Sequence, residues 1–147
     1  MNLTKKMAEV KGFVASSFDL LHAGHIIMLE EARKNCDYLI VGLHTNPEHK
    51  KNLVQSVFER HTQLKGCKYV DEIIPYESED DLKNLLQSLD INIRFLGEDY
   101  LRANRTITGY NTCTLRNIEI YYCKRFHPYS STELKKRIVS MSNTLTD

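Results

Sequence analysis

Short apolar runs alternate with amphipathic stretches from one end of the chain to the other. The runs at 11–16, 37–43, 91–97 and 118–123 read as strands, the first two of them buried, and 69–75 contains a further short one. Between them, 24–34, 53–64 and 78–89 read as helices, and 131–141 as a final one. In 24–34, Ile27, Met28, Glu30, Glu31 and Arg33 sort onto different faces of such a helix. Ser78 is placed to cap the helix it precedes, with Glu79, Asp80 and Asp81 in the first turn. Pro47 breaks the polar stretch 45–52, and 99–117 is polar with little periodicity.

Strand–helix alternation at this spacing predicts a parallel sheet covered on both faces by helices. The expected class is α/β: a Rossmann-like three-layer α/β/α sandwich around a mainly parallel five-stranded sheet. With 147 residues the chain reads as a single domain, 1–147, with its core at about 11–141. Sheets of this kind bind ligands beyond the carboxyl ends of their strands. The stretch Ser17-Phe18-Asp19-Leu20-Leu21-His22-Ala23-Gly24-His25 lies at such an end, after the first strand. It puts two imidazoles three residues apart around a glycine, where a strand hands over to a helix. Free backbone N–H groups and the helix dipole favour an anion there.

Composition narrows the partners. A formal net charge of +1 gives no support for nucleic-acid binding. No apolar run is long enough for membrane insertion, and the N-terminus shows no signal peptide. Cys36, Cys67, Cys113 and Cys123 form neither a C-x-x-C pair nor a zinc pattern, so free thiols and a cytoplasmic location are expected.

The FDLLHAGH form of the histidine stretch resembles the HxGH signature of the nucleotidylyltransferase superfamily, and within it the cytidylyltransferase family. YLIVG at 38–42, ER at 59–60, YVDEIIP at 69–75, LGEDY at 96–100 and YSSTEL at 129–134 extend the resemblance across residues 11–138. The small glycerol-3-phosphate cytidylyltransferases are the most similar members. The resemblance implies transfer of CMP from CTP to a phosphorylated alcohol such as glycerol 3-phosphate, with release of pyrophosphate. An adenylyltransferase acting on a sugar phosphate, of the heptose-phosphate type, is the alternative within the superfamily. A nucleotide-binding module without catalysis is the alternative outside it. A homodimer and Mg²⁺ carried with the triphosphate are also implied, with no carboxylate cage for the metal in the sequence.

The resemblance gives the site residues their expected roles. His22 and His25 become donors to α-phosphate oxygens, their reference pKa of about 6.5 leaving the charge adjustable. Gly24 admits the nucleotide to the backbone, and Ser17 and Phe18 complete the loop. Asp19 either orients that loop or stands near metal and nucleotide. Lys50 and Lys51, after His49, either reach a phosphate or belong to a solvated loop. Arg60 either binds phosphate through its fork or makes a surface salt bridge. Arg125 with Ser130, Ser131 and Thr132 matches the family's R-T-E-G-I-S-T-T block, which implies a pyrophosphate cradle at a helix N-terminus. Phe126, His127 and Pro128 depart from that block. Asp99, beside Glu98, either contacts the nucleotide or closes a turn. The 102–117 segment, with Arg102, Arg105, Thr106 and Thr108, reads as an acceptor pocket, a lid or a surface loop.

Overall fold

A computed structural model describes residues 8–48, 52–102 and 105–143. Five strands form its sheet: β1 (Lys11–Ser16), β2 (Tyr38–His44), β3 (Glu72–Tyr76), β4 (Ile93–Gly97) and β5 (Glu119–Cys123). All pairings are parallel, in the order β3-β2-β1-β4-β5. The chain therefore winds outward from β1 through β2 to β3, then returns to the other side of β1 for β4 and β5. The reversal lies between β1 and β4, whose carboxyl ends flank the crevice where such sheets take ligands.

The helices are α1 (Ala23–Lys34), α2 (Val57–Lys65), α3 (Glu79–Ser88), α4 (Asp99–Arg102), α5 (Tyr110–Leu115) and α6 (Ser131–Ser142). Strand periodicity sends neighbouring side chains to opposite faces, and the core divides accordingly. Val14, Leu39, Val41 and Phe95 pack with Leu29 and Ala32 of α1 and Leu64 of α2. Phe13 and Ile40 face the other way, against Leu82 and Leu86 of α3 and Cys113 of α5. Helices thus cover both faces, as the apolar strands require. Among the described residues, no helix is long and apolar enough to cross a membrane, and all four cysteines are free thiols.

Two stretches depart from the sequence expectation. Helix α2 begins at Val57 rather than at 53, because Ser56 caps it and Glu59 returns the bond to the Ser56 N–H. The preceding residues are held instead by Asp19, whose two carboxylate oxygens each accept a backbone N–H at 2.9 Å, from Val54 and Gln55. The 99–117 stretch contains two short helices. The second, α5, follows Gly109 at φ 77 and buries Cys113, which is too small an apolar footprint for periodicity to register. Ser78 does cap α3, with Asp81 reciprocating.

Candidate active site

The loop between β1 and α1 carries the histidine stretch in an unusual backbone. Phe18 (φ 51) and Leu20 (φ 53) are both left-handed, a conformation that costs about 1 kcal/mol or more for a residue with a side chain. Their surroundings hold them there. The Phe18 ring is buried and lies 5.4 Å from the His25 ring, while the Leu20 N–H donates to Gln55 Oε1 at 2.7 Å. Asp19, 3% exposed, clamps the loop to residues 54 and 55. Of its two expected roles, loop orientation is the one its contacts describe.

The loop delivers His22 to the N-cap of α1. His22 Nδ1 accepts the N–H groups of Gly24 at 3.0 Å and His25 at 3.4 Å, and His25 Nδ1 accepts the His22 N–H at 3.2 Å. This reciprocal arrangement is a capping box built from two imidazoles. It also sets the tautomer: a nitrogen that accepts a backbone N–H carries no hydrogen, so each ring holds its hydrogen on Nε2. The rings stack at 3.8 Å between centroids, 21° from parallel. Gly24 is buried between them and a third imidazole. A Cβ at this position would stand 2.9 Å from both His22 Cε1 and His127 Cε1, closer than real contacts allow.

Across the cleft, Ser130 caps α6 by accepting the Glu133 N–H at 3.0 Å. The Ser131 hydroxyl donates to the Asp19 carbonyl at 3.2 Å, joining the start of α6 to the histidine loop. Lys135, one turn on, donates to the Asn52 carbonyl at 3.1 Å and stands 3.9 Å from Asp19 Oδ2. The Arg125 N–H is fixed by Glu98 Oε1 at 2.7 Å. Its guanidinium reaches the Tyr129 carbonyl at 3.3 Å and lies 3.9 Å from Asp99 Oδ2.

These pieces line one cleft of about 490 Å³. His22, Gly24, His25, Asp99, Arg125, Ser130, Ser131 and Thr132 all face it, so most of the expected site converges although 110 positions separate His22 from Thr132. Arg105, one of the residues of the 102–117 segment for which the sequence offered an acceptor pocket, a lid or a surface loop, lines it as well, as do Lys124 and His127, which sequence reasoning had not assigned to the site. Three imidazoles, two guanidinium groups and an ammonium thus meet one carboxylate, Asp99, in a chain whose formal net charge is +1. The cleft is built for an anion with several oxygens.

Cys123 also lines the cleft, 2% exposed; burial, then the nearby Glu31 carboxylate, pushes its thiol up to about 12. It is a neutral wall, not a nucleophile.

Arg60 requires a correction. It is 1% exposed and neither faces the cleft nor forms a surface salt bridge. Its Nη1 donates to the carbonyls of Ser17 at 2.9 Å and His44 at 2.7 Å, its Nη2 to Thr45 at 2.9 Å and its Nε to Gln55 at 3.3 Å. The guanidinium therefore ties the carboxyl ends of β1 and β2 to the start of α2. Burial pulls its pKa below the ordinary arginine range, and the Asp19 carboxylate works against that. Ser17 is likewise buried, with its carbonyl as its part in this latch, and Phe18 serves from the core. His49, Lys50 and Lys51 lie outside the described residues.

Comparison with known proteins identifies the family and the fold. The model of the family described as cytidylyltransferase-like matches residues 13–137. A glycerol-3-phosphate cytidylyltransferase from Bacillus subtilis is 30% identical over 128 residues, 85% of this chain and 94% of that protein. A bifunctional protein HldE from Nitrobacter hamburgensis is 31% identical over 131 residues, 86% of this chain but 26% of that larger protein. Among solved structures, a lipopolysaccharide core biosynthesis protein from Thermoplasma volcanium superposes with a TM-score of 0.64 at 22% identity, over 84% of this chain and 100% of that one. That likeness speaks to the fold.

Proposed function

The chain belongs to the cytidylyltransferase-like family of nucleotidyltransferases, and from that premise we propose that it transfers CMP from CTP to a phosphorylated alcohol, with glycerol 3-phosphate as the acceptor. The observation that carries the proposal is the cleft itself. Two imidazoles fixed in the Nε2–H tautomer share it with the N-terminus of α6, its hydroxyls and Arg125.

The chemistry follows from the charges. A phosphate monoester has a second pKa of about 6, so near neutrality the acceptor is largely a dianion and needs no general base. One of its oxygens attacks the α-phosphorus of CTP. The bond from that phosphorus to the bridging oxygen of the β-phosphate breaks, and pyrophosphate leaves with the electron pair. The protein has to bring two anions together and stabilise charge gathering on the α-phosphate oxygens. His22 and His25 donate to those oxygens from Nε2. Arg125, the free N–H groups of α6 and the hydroxyls of Ser130 and Thr132 hold the departing pyrophosphate. Mg²⁺ belongs to the same reading, and carried with the triphosphate it would offset phosphate charge. Asp99, the carboxylate among the described residues lining the cleft, would be the protein's ligand to a metal carried on the triphosphate.

Arg105 lines both this cleft and an adjoining hollow of about 720 Å³ that Lys83 and Tyr110 share. This supports placing the acceptor against the 105–112 segment. A homodimer is part of the proposal as well, supported by the exposed Ile138, Val139 and Met141 on α6; the solution mass by light scattering tests it. For the activity, the test is product identity by mass spectrometry. CTP with glycerol 3-phosphate should yield CDP-glycerol. A nucleoside diphosphate sugar formed from ATP and a sugar phosphate, with CTP inert, would favour the adenylyl reading instead.

A further inference from the structure

The cleft holds an imidazole that the reaction above does not use. His127 sits in the loop between Arg125 and α6. That loop turns Phe126 outward, 77% exposed, and Tyr129 half outward, 45% exposed, while His127 is half-buried in the cleft wall. Its ring stacks on Tyr129 at 5.2 Å between centroids, 19° from parallel. Its Nδ1 accepts the Tyr129 N–H at 3.1 Å. The imidazole is therefore locked as His22 and His25 are, with its hydrogen on Nε2. It is also their neighbour. A Cβ on Gly24 would stand 2.9 Å from both His127 Cε1 and His22 Cε1, so the two rings close on the same glycine.

We propose that His127 is a third phosphate-binding imidazole, donating from Nε2 to the polyphosphate chain between the α-phosphate at His22 and His25 and the hydroxyls at the start of α6. The inference rests on the reading of the cleft as a triphosphate site. It gives Gly24 a second purpose. The glycine lets the two imidazoles close on one stretch of the cleft wall, and an anion lying along that wall meets both. A hydrogen bond from Nε2–H to a phosphate oxygen is charge-assisted, so its loss should weaken binding by roughly ten- to a hundredfold.

Two variants separate the donor from the packing. His127→Phe keeps the stack on Tyr129 and removes both nitrogens; His127→Gln gives up the stack and keeps an N–H donor. Binding of inorganic pyrophosphate, measured by calorimetry, should fall roughly ten- to a hundredfold in His127→Phe and recover in part in His127→Gln, with the melting temperature of both unchanged. Equal pyrophosphate affinity in His127→Phe and the unsubstituted protein would overturn the inference. So would equal losses in the two variants accompanied by lower melting temperatures, or no pyrophosphate binding by the unsubstituted protein. Turnover by the unsubstituted protein is scored separately. Pyrophosphate bound through His127 but never released from any nucleoside triphosphate would defeat the proposed reaction and leave the anion site standing.

Discussion

An imidazole whose Nδ1 accepts a backbone N–H has one hydrogen-bearing nitrogen left to offer, in a direction the cap has already fixed. For His22 and His25 this makes the expected effect of substitution a matter of rate. His22→Ala removes a donor that matters most when charge gathers on the α-phosphate, so kcat should fall by about 10²–10³ while triphosphate affinity changes far less. Steady-state kinetics beside direct CTP binding reads the split, and an equal loss in binding with unchanged kcat would contradict it. Arg60 predicts the reverse pattern. Arg60→Met leaves the carbonyls of Ser17, His44, Thr45 and Gln55 without their donor, and should lower stability by about 3 kcal/mol or more in urea titration. The two cases show why part of the site is legible in the sequence. His22 and His25 are three positions apart, and the cap that locks them is local. The acceptors of Arg60 are carbonyls 5 to 43 positions away, which no side-chain pattern announces. His127 stood out in the sequence as a departure, and it gains meaning only where its loop folds back against Gly24.

Helix α6 brings Ser131 and Thr132 to the cleft, yet none of its described residues is buried. Polar contacts fix its start instead: the Ser131 hydroxyl on the Asp19 carbonyl, and Lys135 on the Asn52 carbonyl beside the Asp19 carboxylate. Elements held this way open at low free energy. Lys135→Met should therefore speed hydrogen exchange through 131–142 by several-fold while β1, β2 and β4 keep their protection. Uniform acceleration across the sheet would mean that α6 is tied to the core. Local chemistry made much of this level legible. Acidic residues after Ser78 announced α3, and Ser130 followed by Ser131 and Thr132 announced α6. The late start of α2 was hidden, because its entry depends on Asp19, which lies 35 positions from Val54.

The whole molecule places these parts by topology. With β1 and β4 adjacent at the reversal of strand order, the carboxyl ends that bear the histidine loop and the Glu98–Asp99 turn must meet. The alternation of apolar strands and helices already required both sheet faces to be covered. The strand order needed the structure, since periodicity carries no information about neighbours. Burial within this fold has a consequence for pH. Desolvation raises Cys123 from 9.0 to about 12, and raises Cys36, Tyr76 and Tyr121 as well. Below pH 9 the Cys123 thiol keeps its proton in both the folded and the unfolded chain. Above it the unfolded chain ionises first, so stability should fall as pH rises from about 9 toward about 12. A urea midpoint that drops between about pH 8 and about pH 10.5, less steeply in Cys123→Ala, would bear this out; a flat profile would contradict it.

The central claim is that the paired imidazoles turn CTP and a phosphate monoester into a CDP-alcohol. The most direct measurement is pyrophosphate release from CTP on addition of glycerol 3-phosphate, with the unsubstituted protein and His22→Ala side by side. The account predicts acceptor-dependent release by the unsubstituted protein and release slowed by about 10²–10³ in the variant. Release at the same rate in both, or none from CTP with any phosphorylated alcohol, would contradict it.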